Sequence, residues 1–301
     1  MSAKGWGLLL LLTLLWGSSF LFYKVLVEAM PPVTAMLGRV GIAAIAMNVW
    51  LLARGETIPL RGGMWLRFLL LGFLNNALPF VLLAWGEITI TSGMASILNA
   101  TTPIFMVMAA HWGTHDEKLS VGKVIGIVFG IVGVMVLVGP DAFAGASLVW
   151  GELAVIAASC VLGFAGVYSR GFTELKPMVA ATGQVTGATV ILAPLSLLID
   201  RPWDLAPPSG AAWASLLTIA LVNTALAYFF YYRMLAITGV TYISLVTFLI
   251  PVMALLLGAV FLHEVITMRA LAGMVIIALG LLAMDARLFK QLSMRSSPRS
   301  G

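Results

Sequence analysis

The chain has 301 residues, a net charge of +5, 61% apolar residues against 10% charged, and a mean hydropathy of +1.06. A soluble domain of this length has no interior large enough to hide that much apolar surface, so a water-soluble globular enzyme is excluded. Cys160 is the only cysteine, which excludes an intramolecular disulfide.

Runs of about 18 or more apolar residues read as membrane helices. Ten occur, over 5–25, 33–53, 65–85, 91–111, 121–139, 150–169, 178–198, 212–233, 240–262 and 268–286. They predict an all-α polytopic membrane protein with short loops. The first run follows Lys4, is too long for a signal-peptide core, contains Trp16 and lacks a small-x-small cleavage site, so it reads as a retained helix. In it Trp16 and Ser19 share a face, with Tyr23 one turn on. The second run holds Arg39, the one charge well inside a segment, about 9 Å from its start at about 1.5 Å per residue. Two readings fit this arginine: snorkelling towards the headgroups beside Glu28, or attraction of a substrate carboxylate.

The third run places Asn75 and Asn76 near its middle and Pro79 one turn later. The fourth carries Ser92, Ser96, Asn99 and Pro103 at spacings of four, three and four, which put them on one helical face. The fifth carries Gly122, Gly126, Gly130 and Gly133, a spacing that lets another helix come close, and the tenth answers with Gly273 and Gly280. Packing inside a monomer and a homodimer seam both satisfy this stripe. Ser159 lies near the middle of the sixth run. The eighth holds Asn223, Thr224, Tyr228 and Tyr231, and the ninth holds Ser244, Thr247 and Pro251. A proline removes one backbone donor and frees the carbonyl four residues earlier, so the carbonyls of Asn99 and Thr247 are expected to be open to a substrate, a water or a hydroxyl. Polar groups at this depth tend to face a cavity or another helix.

The chain also repeats itself. Residues 75–115 align without gaps on 223–263 at an offset of 148, pairing Asn75 with Asn223, Phe80 with Tyr228, Ser96 with Ser244, Pro103 with Pro251 and His115 with His263. One deletion then pairs Glu117 with Glu264. With the N-terminus in the cytoplasm, thirteen lysines and arginines lie inside and only Lys24, Arg201 and Arg269 outside, so both termini are expected to be cytoplasmic. The third and eighth runs then cross in opposite directions. The expected architecture is two inverted five-helix repeats around a central cavity, over 1–140 and 141–290, followed by a short basic tail at 291–301. Inverted repeats supply alternating access by exchanging the conformations of their halves.

No HExxH, GxSxG or P-loop occurs, and no His, Cys and carboxylate cluster has metal spacing, so neither an enzyme, a metal nor a cofactor is expected. The helix centres contain no Asp or Glu, and Glu87, Glu152 and Glu264 lie near outer helix ends. Proton-coupled drug export usually uses a carboxylate at depth, so a gradient-driven facilitator is expected.

The stretches LLWGSSFLFYK (14–24), the Pro-rich entry to the second run leading to Arg39, NNALPFVLLAWGEITITSGMASILNATTPIFMVMAAHWGTHDE (75–117) and its second copy (223–264) resemble the drug/metabolite transporter superfamily, in its ten-helix EamA-type branch. The likeness covers almost the whole chain and is greatest to exporters of amino acids, including aromatic ones. It implies a bacterial inner-membrane protein whose helices 1, 3, 4, 6, 8 and 9 line the cavity, with 5 and 10 set aside. The superfamily's four-helix multidrug members use a membrane glutamate in helix 1, which this chain lacks.

The reading is an exporter of amino acids and related small metabolites. The expected substrate-binding residues are Trp16, Ser19, Asn75, Asn76, Pro79, Ser96, Asn99, Pro103, Ser159, Asn223, Tyr228, Ser244, Thr247 and Pro251. The expected partners are a small-molecule substrate and the lipid bilayer, with the chain a monomer or homodimer. The rival reading is a proton-coupled exporter of drugs or of other metabolites, such as nucleosides or sugar conjugates.

Overall fold

The computed structural model describes residues 3–59, 62–113, 121–139, 146–238 and 240–284. Glu117 and the tail at 291–301 lie outside them, as does the side chain of Ser244. Among the described residues every regular element is helical. The elements are α1 (Ala3–Ala29), α2 (Pro32–Ala53), α3 (Met64–Gly86), α4 (Ser92–His111), α5 (Val121–Val138), α6 (Ala146–Ser169), α7 (Pro177–Asp200), α8 (Gly210–Leu235), α9 (Val240–Phe261) and α10 (Met268–Met284). Seven of them, α1–α4 and α6–α8, are long and apolar enough to cross a membrane. The other three contain shorter apolar stretches, Gly122–Val138, Leu249–Phe261 and Met268–Ala283.

Local chemistry sets the helix starts. Pro32 and Pro177 sit at first helical positions, where a missing N–H costs nothing. The Thr91 hydroxyl accepts from Met94 N at 3.2 Å, and the Ser209 hydroxyl from Ala212 N at 3.2 Å, so α4 and α8 begin on side-chain caps.

Two helices widen in their middles. In α3 the turn Phe73–Ala77 is π-helical, just before Pro79, whose absent N–H leaves the Asn75 carbonyl without its usual α-helical donor. In α8 the π stretch is Thr218–Leu226, and the Thr224 hydroxyl donates to Ile219 O at 2.8 Å. These stretches carry Asn75 and Asn76 in one helix and Asn223 and Thr224 in the other.

The prolines of α4 and α9 act differently. Around Pro103 the helix breaks at Ala100 and Thr101, between Ser92–Asn99 and Thr102–Gly113. Around Pro251 the helix is continuous. The Asn99 carbonyl, expected to be open to a substrate, a water or a hydroxyl, is taken by a hydroxyl: that of Thr102 donates to it at 2.7 Å. The Thr101 hydroxyl likewise donates to Leu98 O at 2.6 Å. Hydroxyls of this kind satisfy carbonyls that the backbone ladder abandons.

Helix association in lipid relies on close packing, because lipid tails are as apolar as the side chains. α5 packs chiefly on α10, where a Cβ on Gly133 would stand 2.6 Å from Ile277 Cγ1 and one on Gly280 only 2.9 Å from the Gly126 carbonyl. The glycine stripe is therefore used inside the chain. Elsewhere α1 packs on α9, α4 on α6, and α2 on α7, while α3 packs on α7 and α2 on α8. A Cβ on Gly72 would meet Ala188 N at 2.6 Å, so α3 and α7 touch backbone to backbone. Large apolar side chains such as Leu198 and Phe261 are exposed on the outside, as lipid requires. Trp6, Trp85, Trp150, Trp203 and Trp213 are exposed near helix ends, where indole favours the headgroup layer.

Candidate functional site

The π turns of α3 and α8, the break in α4 and the middle of α1 meet around one cavity of about 410 Å³. Every helix except α5 and α10 contributes to its wall. That includes α2 and α7, which the sequence reading did not place there.

The sequence-predicted residues divide. Trp16, Ser19, Asn75, Ser96, Asn99, Asn223, Tyr228 and Thr247 line the cavity. Asn76, Pro79, Pro103, Ser159 and Pro251 do not. Asn76 is fully buried behind the wall and donates to the Tyr228 hydroxyl at 3.2 Å. Ser159 spends its hydroxyl on Val155 O at 2.9 Å and approaches Asn99 Oδ1 at 3.4 Å, so it tethers α6 to the break in α4. The three prolines shape their helices and leave the lining to their neighbours.

A polar chain crosses the cavity wall. Asn75 Nδ2 donates to Gln184 Oε1 at 3.1 Å, and Gln184 Nε2 donates to the Tyr228 hydroxyl at 2.8 Å. Asn223 Nδ2 donates to Leu15 O at 2.5 Å and Ser18 Oγ at 2.8 Å, tying α8 to α1. Aromatic rings provide the opposite character: Trp16 and Tyr231 lie 5.5 Å apart, and Tyr231 and Tyr232 5.0 Å. Gln184 was legible as a lone amide in the middle of an apolar run, a placement that marks function in membrane helices.

Arg39 turns into the protein rather than snorkelling to the headgroups beside Glu28. It is 4% exposed and lines the cavity, while Glu28 is exposed on the surface. Its Nε donates to the Thr224 hydroxyl at 2.9 Å and its Nη1 to the Tyr23 hydroxyl. Its guanidinium carbon stands 3.8 Å from the Phe80 ring centroid and 5.1 Å from that of Tyr23. Both contacts are cation–π in geometry.

The two ends of the cavity differ. At one end the lining stops on buried Tyr23 and Arg39; at the other it reaches exposed Ser169. Beyond the stopped end, Lys24 Nζ donates to Glu87 O at 2.7 Å and Ile90 O at 3.3 Å. The Glu264 carboxylate accepts from Ser92 N at 2.8 Å, Ser92 Oγ at 2.9 Å and Gly93 N at 3.2 Å. Glu87, expected as an ordinary helix-end carboxylate, is fully buried, and neither of its carboxylate oxygens has a partner among the described residues. Burial, and then the nearby Glu264, push its carboxyl well above the usual carboxylate range against the opposing effect of Lys24.

The sequence matches the model of the EamA-like transporter family twice, over residues 3–139 and 149–284. It is 26% identical to the uncharacterized transporter YoaV of Bacillus subtilis over 271 residues, covering 89% of this chain and 92% of that one. It is 27% identical to the uncharacterized inner membrane transporter YedA of Escherichia coli over 262 residues, covering 84% and 81%. A solved crystal structure superposes with a TM-score of 0.68 at 18% identity, over 95% of this chain and 98% of the other, which establishes a shared fold.

Proposed function

Because the chain belongs to the EamA-like transporter family, we propose that it exports amino acids and related small metabolites across the bacterial inner membrane by alternating access, driven by the substrate gradient. That it is a multi-pass membrane transporter follows from family and fold together. The observation that carries the finer reading is the cavity, whose lining combines amides and hydroxyls with a tryptophan and tyrosines and holds a single cation at its stopped end. That combination suits a small solute with a charged head and an apolar side chain.

The architecture proposed is ten membrane helices in two inverted halves, 1–140 and 141–290. Three observations support it. The family model matches once in each half. The main packing pairs map onto one another when each helix is replaced by the one five places along: α1 on α9 becomes α6 on α4, α2 on α8 becomes α7 on α3, and α5 on α10 maps to itself. The π turns fall at equivalent places, Phe73–Ala77 and within Thr218–Leu226. With both termini cytoplasmic by the positive-inside rule, the open end at Ser169 faces the cytoplasm and the stopped end faces outward. The halves then differ as alternating access requires, with α4 broken at its proline and α9 straight through its own.

The test is efflux of labelled phenylalanine, methionine and threonine from proteoliposomes, with and without a proton gradient. Saturable efflux that ignores the gradient is expected. Asn99→Ala should cut it about tenfold or more while leaving folded protein abundant, since Asn99 lines the cavity and its amide helps hold the α4 break. Unchanged transport would remove Asn99 from the site. One observation favours a second reading, proton-coupled export of drugs or other metabolites: the buried, unpartnered carboxyl of Glu87. Efflux that appears only with a gradient would select it.

A further inference from the structure

Among the described residues, Arg39 is a buried cation without a counter-anion. An arginine stays protonated in proteins, and a charge taken out of water needs compensation. What surrounds it is neutral: the Tyr23 and Thr224 hydroxyls and the faces of Phe80 and Tyr23. Its third nitrogen, Nη2, makes no hydrogen bond with the described residues, and no Asp, Glu, Lys or His lines the cavity with it. The cavity therefore carries one formal positive charge and no negative one.

We propose that Arg39 anchors the carboxylate of a monocarboxylate substrate with an apolar side chain, and that an amino group on that substrate is dispensable. The inference rests on the transport reading above and narrows it. A guanidinium with a free donor edge matches a carboxylate, and a cavity that excludes water makes the pair stronger than at a surface. A doubly charged phosphate would need a second cation, which the wall does not offer. For an ammonium the wall offers only tyrosine and tryptophan faces and neutral oxygens, which tolerate it without requiring it. Apolar 2-hydroxy and 2-oxo acids should then be carried alongside amino acids.

The experiment uses the full chain in proteoliposomes. Efflux of labelled phenylalanine is competed with unlabelled phenylalanine, phenyllactate, phenylalaninamide and phenethylamine, and efflux of labelled phenyllactate is measured directly. Phenyllactate should compete within a few-fold of phenylalanine, and the two compounds lacking a carboxylate at least about tenfold more weakly. Equal competition by phenethylamine would overturn the assignment, as would efflux of neither labelled acid. Efflux of phenyllactate without phenylalanine would keep the carboxylate anchor and sink the amino acid reading. Arg39→Gln should erase the preference for acid over amide. Since this variant gives up contacts to Tyr23 and Thr224 and can fail to fold, Arg39→Lys is the second variant. It keeps the charge without the planar fork, so it should keep the acid preference while raising KM about tenfold. An unaltered KM in Arg39→Lys, with the acid preference surviving in Arg39→Gln, would place the carboxylate elsewhere.

Discussion

At the stopped end of the cavity, charged side chains bind helix termini; at the open end, aromatic rings lean on one another. Lys24 donates to the last carbonyls around the end of α3, where the helix dipole is negative, and Glu264 accepts from the first amides of α4, where it is positive. At the open end Tyr231 and Tyr232 meet edge to face, with Trp16 beside Tyr231 and exposed Ser169 opposite. The difference teaches how a seal inside a membrane can be reversible. Under the alternating access proposed above, every group freed when α1, α3, α4 and α9 separate at the stopped end can be taken up by water entering from that side, so the helices would come apart without stranding a polar group in hydrocarbon.

The largest effect should come from Glu264→Ala, which deletes three contacts to the start of α4 at once. Hydrogen bonds to a charged group contribute about 1.5–3 kcal/mol each when buried, and the half-buried site lowers that figure. A cysteine placed at Leu83, which lines the stopped end, in a Cys160→Ser background reports the seal. Its labelling by an impermeant maleimide from the outside should rise about tenfold in Glu264→Ala. Labelling as slow as in the parent would mean that Glu264 caps α4 without holding the end shut.

Glu87→Gln should change the pH profile of the same reporter. The Glu87 carboxyl is raised above its usual range in the sealed structure, by burial first and then by Glu264, with Lys24 opposing. Its contribution to the seal is therefore full at low pH and lost as pH rises through its sealed-state value, above the ordinary carboxylate range. Outside labelling of Leu83→Cys should climb with pH in the parent and stay flat in Glu87→Gln. A profile that climbs equally in both would clear Glu87 of any part in opening.

Much of this site was readable in the sequence, for physical reasons specific to each residue. Amides and hydroxyls in an apolar run are costly unless satisfied, which is why Asn75, Ser96, Asn99 and Asn223 stood out as candidates for the cavity wall that they line. Asn76 and Ser159 obey the same rule but lie outside the lining, bonded to the Tyr228 hydroxyl and to Val155 O, and the sequence does not separate the two outcomes. The prolines marked irregular helix but not its form: a π turn before Pro79, a break before Pro103 and a continuous helix through Pro251. Arg39 and Glu87 were the hard cases. A charge near a helix end can reach headgroups or turn inward, and which it does depends on neighbours far away in sequence, such as Thr224 for Arg39 and Lys24 for Glu87.

Lys24→Met should have the smallest effect, and it separates the two parts of the seal. The side chain is half-buried, and the carbonyls of Glu87 and Ile90 that it holds can turn to water, so its loss is expected to weaken closure by only about 1 kcal/mol, roughly fivefold in Leu83→Cys labelling at low pH. Removing the cation also removes the one influence that lowers the Glu87 carboxyl. The pH at which labelling climbs should therefore move upward in Lys24→Met even as the low-pH baseline rises. A structural clamp that acted only through its hydrogen bonds would raise the baseline and leave the midpoint where it was. An electrostatic partner of Glu87 moves both, and combining Lys24→Met with Glu87→Gln should leave the raised baseline and abolish the climb.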